Sequence, residues 1–133
     1  MTGRSYEAYL FDLDGTLVNT VPDIDRALNH ALATVGLARV DLSLTRHWIG
    51  HGSRTLIKQA LEYQQQAAAE PDIDQLITPF LDYYKANIAV HSHIYAEVNE
   101  ALSTLHQRGT KLAVVTNKLT ELNFELLPRF IFQ

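Results

Sequence analysis

Two short apolar runs, far apart in the chain, limit the fold more than any other feature of the sequence. The first, Tyr9–Phe11 with the alanine before it, ends in Asp-Leu-Asp-Gly and is typical of a buried strand running into a turn. The second is Lys111–Thr116, which Asn117 and Lys118 follow directly. The residues between the two runs have a helical pattern. This order predicts an α/β fold with parallel strands and a helical insert after the first strand.

The insert begins with a well-marked helix. Pro22 suits a first helical turn, the acidic side chains at 23 and 25 complement the helix dipole, and Gly36 can end the helix. Its apolar residues recur on one face, so the helix is amphipathic. No strand signal appears between Asp41 and Val90. The predicted helices are 22–35, 43–49, 53–69, 72–88, 97–108 and, after the second strand, 119–127.

Composition restricts the classes of function. The 133 residues are the length of one domain, and 47% of them are apolar, which allows a packed core. Without cysteine, the chain has no thiolate metal site and no cysteine nucleophile. A net charge of −4 and a pI near 5.8 argue against a nucleic-acid partner. The N-terminal residues are too charged for a signal peptide or a membrane span, so we expect a soluble cytoplasmic protein with no membrane partner.

Three interpretations of the sequence Asp-Leu-Asp-Gly-Thr at 12–16 compete. As a hairpin, Asp-Gly would form a two-residue turn, and 16–20 would be a returning strand that meets Pro22 almost at once. As a calcium-binding loop, the segment would need glycine at its sixth position and glutamate at its twelfth, where the chain has Leu17 and Asp23. The third interpretation is a catalytic strand end.

In this third interpretation both acids lie at the carboxyl end of a parallel strand, where open α/β sheets bind their ligands. Alternation along an extended chain places the side chains of Asp12 and Asp14 on the same side, with Leu13 opposite. Two neighbouring carboxylates suit a nucleophile and a general acid/base, with a metal ion to offset their repulsion. Gly15 and Thr16 would supply a tight turn with N–H groups for an anion.

These motifs together resemble a known family. The Asp-x-Asp-Gly-Thr-Leu sequence, the helical insert and the Thr-Asn-Lys sequence at 116–118 resemble the haloacid dehalogenase superfamily. Within it, FDLDGTLVNT, Gly-His-Gly-Ser-Arg at 50–54 and LAVVTNK are similar to phosphoglycolate phosphatases. The resemblance implies a partial Rossmann-like core, formed by 1–16 and 92–133, and a helical cap at 17–91 that closes over the site.

The resemblance also implies a division of roles between the two acids. Asp12 would attack phosphorus and form an aspartyl-phosphate, while Asp14 would protonate the leaving oxygen and then activate water. The Asp12 carboxylate and the Asp14 backbone carbonyl would hold Mg2+. Within the superfamily, an acid at position 14 separates phosphatases from dehalogenases, so the implied substrate is a small phosphorylated metabolite.

A phosphate-binding set follows from the same resemblance. Backbone N–H groups near Leu13 and Asp14 would surround the phosphoryl group, and the Thr116 hydroxyl and the Asn117 N–H would bind its oxygens. Lys118 would either approach the substrate or lie in solvent on a first helical turn.

Two features of the insert have a functional and an ordinary interpretation. His51 and Arg54 could reach an anionic substrate such as a two-carbon carboxylate ester, or could belong to a simple helix–helix connection with a solvated arginine. His91 and His93 could be mistaken for a metal pair, but without a third ligand nearby they favour a solvated hinge. Trp48 is expected in the core of the cap.

The chain also departs from the family pattern. Relatives continue beyond the second strand with a lysine and with aspartates that complete the magnesium site, and residues 129–133 offer neither. We therefore expect a C-terminally truncated member whose two-stranded sheet has an exposed edge, through which a homo-oligomer could form. Two functions stay open. One is a Mg2+-dependent phosphomonoester hydrolase; the other is a catalytically silent protein that binds a phosphorylated ligand or self-assembles.

Overall fold

The computed structural model of the protein describes residues 7–66, 68–116 and 118. These residues form five helices and four short strands. The elements in chain order are β1 (Ala8–Phe11), β2 (Val18–Asn19), α1 (Val21–Thr34), α2 (Leu42–Trp48), α3 (Ser53–Tyr63), α4 (Glu70–Ala86), β3 (His93–Ile94), α5 (Val98–Gln107) and β4 (Lys111–Val114). The α/β class predicted from the sequence is confirmed. The helix predicted at 119–127 lies outside the described residues.

Strands β1 and β4 pair in parallel, as predicted. Tyr9 lies opposite Leu112 and Phe11 lies opposite Val114, and the N–H of Val115 donates to the Phe11 carbonyl at 2.7 Å. Because parallel strands end at the same edge of a sheet, this register brings the residues after Phe11 beside those after Val114.

A second pairing was not predicted from the sequence. Val18–Asn19 pairs antiparallel with His93–Ile94. Helices α1 to α4 lie between these two strands and are called the helical segment below, so the pairing joins the two ends of this segment. Two-residue strands are too short to show the alternation of period two by which a strand is recognised. The hairpin interpretation of 12–20 is wrong, because β1 pairs with β4 and the returning residues pair with β3.

The third predicted helix ends earlier than expected. The prediction of 53–69 was wrong beyond Tyr63, because Gln64 leaves the helix and Gln65 takes a left-handed conformation with φ 58°. The Gln64 side chain bonds the backbone of Ala38 in both directions, with Nε2 donating to the carbonyl at 2.7 Å and Oε1 accepting from the N–H at 3.2 Å. This tertiary contact outweighs the helix-favouring composition of the glutamine and alanine run.

The hydrophobic core lies mainly in the helical segment. Helix α1 packs on α2 and α4, and Trp48 is buried as expected. The sheet of β1 and β4 is only half covered by the described residues, since Leu10 is 70% exposed and Val115 59%. Within the part of the chain that is described, no helix has the length and apolar character needed to cross a membrane.

Candidate active site

The turn after β1 is held by one buried residue. Leu13 has no exposed surface, and its carbonyl accepts the N–H groups of Thr16, Leu17 and Val18 at 3.0–3.2 Å. Gly15 adopts φ 79°, a left-handed conformation that glycine takes without strain, and donates its N–H to Val18. The turn thus ends the strand sharply while Leu13 faces the core.

Asp12 and Asp14 line the same cavity but have different surroundings. The Asp14 Oδ1 atom accepts hydrogen bonds from the Thr20 hydroxyl at 2.7 Å and from the Lys118 ammonium at 2.9 Å, and the side chain is 11% exposed. Asp12 is exposed, and its Oδ1 accepts the N–H of Leu13 at 2.8 Å. One carboxylate is therefore fixed by a cation and a hydroxyl, and the other is open to solvent.

Lys118 is buried against Asp14. Its side chain is 5% exposed, and its Nζ donates to the Tyr84 hydroxyl at 2.6 Å and lies 4.5 Å from the centre of the Tyr84 ring. Burial lowers the pKa of Lys118, and the neighbouring Asp14 carboxylate opposes that shift. Of the two interpretations of Lys118 from the sequence, the solvated one is wrong, because its ammonium lies inside the site.

Thr116 and Lys118 are joined by a hydrogen bond just after β4. The N–H of Lys118 donates to the Thr116 hydroxyl oxygen at 3.1 Å, and both residues line the cavity with the two acids. Asn117, expected to supply an N–H for phosphate, lies outside the described residues.

The cavity between the sheet edge and the helices has a volume of about 290 Å3. Asp12, Asp14, Thr116 and Lys118 form its sheet side. Its helical side combines apolar side chains with a polar loop, and consists of Ile24, Ile49, Gly50, His51, Gly52, Ser53, Arg54, Leu56, Phe80 and Tyr84. The structure thus brings the two acids together with Thr116 and Lys118, about 100 positions later in the sequence, and places His51 and Arg54 on the wall of the same cavity.

Arg54 lies on the cavity wall with two acidic partners. Its guanidinium binds the carboxylates of Asp74, at 2.8 Å, and of Glu70, so the pair links α3 to α4. The hydrogen bonds that the Arg54 guanidinium donates to Asp74 and Glu70 raise the pKa of Arg54. All three side chains are well exposed, so the ion pairs are solvent-screened and add little to stability.

Two residues of the site were missed in the sequence. Tyr84 falls in the predicted helix 72–88 and Thr20 ends the FDLDGTLVNT sequence, and the sequence predicts no individual role for either. Their contacts, with Asp14 for Thr20 and with Lys118 for Tyr84, form only in the tertiary structure. Among the residues that the structure describes, no group of three or more His, Asp or Glu side chains is placed to hold a metal ion, and His91 and His93 are both exposed.

Comparison with known proteins gives relatives over nearly the whole chain. A phosphoglycolate phosphatase of Agrobacterium fabrum is 41% identical over 120 residues, which is 90% of this chain and 52% of the relative. A phosphoglycolate phosphatase of Mesorhizobium japonicum is 42% identical over 109 residues, covering 82% of this chain and 48% of the relative. The chain spans about half the length of these curated relatives.

Solved structures agree with the sequence comparison. The crystal structure of a predicted phosphoglycolate phosphatase from Haemophilus somnus 129PT superposes with a TM-score of 0.86 at 35% identity, covering 94% of this chain and 57% of that one. Residues 9–131 match the family described as haloacid dehalogenase-like hydrolase. With two acids at the end of a parallel strand, and Thr116 and Lys118 beside them, the chain belongs to the haloacid dehalogenase-like hydrolase family.

Proposed function

We propose that the protein is a Mg2+-dependent phosphomonoester hydrolase of the phosphoglycolate phosphatase type, acting through an aspartyl-phosphate. The observation that carries this proposal is the pair of acids in one cavity, one open and one held by Lys118 and Thr20. The curated relatives at about 40% identity, which are named phosphoglycolate phosphatases, support the substrate class.

Asp12 is the proposed nucleophile. Its carboxylate is exposed, lines the cavity and accepts a hydrogen bond from the backbone N–H of Leu13, so an oxygen can reach a phosphorus atom. Attack would form the acyl phosphate on Asp12 and expel the alkoxide. Covalent catalysis of this kind divides the hydrolysis into two easier steps.

Asp14 is the proposed general acid and base. A carboxyl group in this position would protonate the leaving alkoxide and later accept a proton from the attacking water. The hydrogen bonds from Thr20 and Lys118 fix one of its oxygens, which orients the other. Such positioning is the main contribution that a protein makes to phosphoryl transfer.

The phosphate-binding groups would come from both strand ends. We assign this role to the Thr116 hydroxyl, the Lys118 ammonium, the Asn117 N–H and the backbone N–H groups near Leu13 and Asp14. The Leu13 N–H donates to Asp12 in the structure, so it would exchange that partner for a phosphoryl oxygen. Donors aimed at the transferring group stabilise its charge in the transition state.

Mg2+ is the proposed cofactor, and the chemistry of the available donors suits it. Asp12 offers an exposed carboxylate. In the described backbone hydrogen bonds of the turn, the carbonyls of Leu13 and Val18 are the acceptors, and the Asp14 carbonyl is not used. Both are hard oxygen donors, which Mg2+ prefers together with several waters. When bound, the ion would offset the negative charges of the acid and the phosphate.

The helical segment is proposed to act as the cap, with 17–91 inserted between the core parts 1–16 and 92–133. His51 and Arg54 are the proposed contacts to the leaving group, because both line the cavity opposite the acids. Arg54 would have to exchange Glu70 or Asp74 for a substrate carboxylate. A cytoplasmic location is proposed from the cysteine-free composition.

The function is tested with p-nitrophenyl phosphate and the full chain. We expect release of p-nitrophenol that needs Mg2+, stops with EDTA and is lost in Asp12→Asn, which keeps the side-chain shape but removes the nucleophile. Asp82→Asn is the matched control, because Asp82 is exposed on α4 outside the cavity. Turnover that is equal in the wild type and in Asp12→Asn would refute the proposal.

A second candidate is a catalytically silent protein that binds a phosphorylated ligand or self-assembles. The exposure of Leu10 and Val115 on the sheet favours this alternative, since an uncovered strand pair can add a second copy at its edge. Light scattering after size exclusion distinguishes the two. A stable dimer without Mg2+-dependent turnover would support the silent protein, and an active monomer would exclude self-assembly as the function.

A further inference from the structure

The contact between Tyr84 and Lys118 joins two distant parts of the chain. Tyr84 lies near the end of α4, in the helical segment, and Lys118 follows the sheet strand β4. The Lys118 Nζ donates to the Tyr84 hydroxyl at 2.6 Å, over a separation of 34 residues. The same ammonium also lies 4.5 Å from the centre of the tyrosine ring, a distance at which cations are attracted to aromatic faces.

The geometry of this contact is specific. An ammonium has three donors, and two of them are used on Tyr84 at 2.6 Å and on Asp14 at 2.9 Å. Tyr84 is 2% exposed and lines the cavity with Asp14 and Lys118. A buried phenol oxygen is a fixed acceptor, because its ring is packed and cannot leave the site.

Removal of this oxygen would change where Lys118 points. The side chain of a lysine is long and flexible. Without the Tyr84 hydroxyl, the buried ammonium would move to hydrogen-bond another acceptor. Asp14 would then keep a cation that is less well oriented. A phosphate group that binds between Asp12, Thr116 and Lys118 would then be held less tightly, because the Lys118 ammonium would be displaced from its position.

We infer that the Tyr84 hydroxyl is a positioning group that holds the Lys118 ammonium between Asp14 and the phosphate site. Tyr84 acts through Lys118 and takes no part in the bond changes at phosphorus. The inference rests on the proposed function, since it assigns Lys118 to the phosphate site. In this role, Tyr84 of the helical segment helps to set the position of the positive charge at the sheet edge.

The first test measures the affinity for inorganic phosphate by calorimetry, in buffer with Mg2+. Tyr84→Phe keeps the ring and removes the hydroxyl, and we expect it to weaken phosphate binding about tenfold, as the loss of one charged hydrogen bond predicts. Tyr83→Phe is the matched control on the same helix, because Tyr83 stacks on His30 outside the cavity. We expect wild-type affinity from this control.

A double-mutant cycle separates positioning from a structural role. In a Lys118→Met background, Tyr84→Phe should cause no further loss of phosphate affinity, because the group that it positions is absent. An equal loss in both backgrounds would show that Tyr84 acts by packing alone and would overturn the inference. So would wild-type phosphate affinity in Tyr84→Phe.

A second readout does not depend on phosphate. The lysines of the chain are Lys58, Lys85, Lys111 and Lys118, so the ammonium signals in a 15N-lysine NMR spectrum are few, and Lys118→Met assigns one of them. A buried, hydrogen-bonded ammonium exchanges its protons slowly. We expect the Lys118 signal in the wild type and in Tyr83→Phe, and its shift or loss in Tyr84→Phe.

The two readouts separate failure of the inference from failure of the proposed function. A wild type that binds no phosphate would contradict the proposed function, and the ammonium signal would then decide the inference. A Lys118 signal that is identical in the wild type and in Tyr84→Phe would overturn the inference whatever the phosphate result.

Discussion

The carboxylate of Asp23, near the start of α1, accepts both the backbone N–H of Ser92 at 2.8 Å and the Ser92 hydroxyl at 2.7 Å. It also accepts the N–H of His91 at 2.9 Å, and the Asp23 side chain is only 1% exposed. The buried carboxylate of Asp23 therefore holds the residues that lead into β3 against the start of α1. This contact, together with the pairing of β2 with β3, joins the two ends of that segment.

The first prediction concerns this contact. Asp23→Asn should lower the free energy of unfolding by about 2 kcal/mol, because an amide NH2 would face backbone donors in place of an accepting oxygen. Urea unfolding followed by circular dichroism measures the change. Asp82→Asn makes the same chemical change at an exposed position of α4, and we expect almost no loss there. Equal stability of the two variants would show that the Asp23 bonds add nothing.

The second prediction compares two buried threonines. Thr20 donates to Asp14 at 2.7 Å and Thr45 donates to Asp25 at 2.6 Å, and neither threonine is exposed. Thr20→Val and Thr45→Val should each cost about 1 kcal/mol in stability, since each leaves a carboxylate short of one donor. Only Thr20→Val should also slow hydrolysis of p-nitrophenyl phosphate, because only Asp14 lines the cavity. A similar loss of turnover in both variants would contradict a special role for Thr20.

The third prediction tests Arg54 as a contact to an anionic leaving group. Arg54→Gln should raise KM several-fold for 2-phosphoglycolate, which carries a carboxylate, and leave KM for p-nitrophenyl phosphate almost unchanged. Thermal stability should hardly change, because the ion pairs with Glu70 and Asp74 are exposed.

A matched variant sharpens this test. Asp74→Asn together with Glu70→Gln releases the guanidinium from its acidic partners without changing the cavity side chains. We expect a lower KM for 2-phosphoglycolate in this double variant. If KM moves in parallel for both substrates in every variant, Arg54 does not recognise the carboxylate.

The fourth prediction is a loss of stability at alkaline pH. Burial, reinforced by the charges of Asp14 and Asp23, raises the pKa of Tyr84 above its ordinary value of 10.0. Above pH 10 the unfolded chain therefore releases the phenol proton while the folded chain keeps it, so stability falls as the pH rises. The slope from this group is about 1.4 kcal/mol per pH unit.

Tyr84→Phe isolates this contribution. Urea unfolding between pH 9 and pH 11 should show a shallower decline in the variant than in the wild type, because the other tyrosines ionise in both proteins. Lys118 has the opposite effect below pH 10.5, since its lowered pKa means that the unfolded chain holds more protons there and stability rises with pH. Parallel declines in the wild type and in Tyr84→Phe above pH 10 would contradict the raised pKa.

Local sequence was enough to predict the frame of the molecule. The strand before Asp12, the helical segment and the strand before Thr116 follow from apolar periodicity and from turn residues, which act over a few positions. The same alternation predicted that Asp12 and Asp14 would share a side, and both line the cavity. Propensity predicted the end of the third helix wrongly, because a hydrogen bond between the Gln64 side chain and the Ala38 backbone ends that helix early.

The tertiary structure alone decided what surrounds those acids. Thr20, Tyr84 and Lys118 meet at Asp14 only because a parallel strand pair and a packed helix bring their backbones together. Nothing in the neighbouring residues marks Tyr84 as different from a core tyrosine, or Asp23 as the partner of Ser92. Hydrogen bonds between distant residues depend on the packing of whole elements, and that packing is a property of the complete fold.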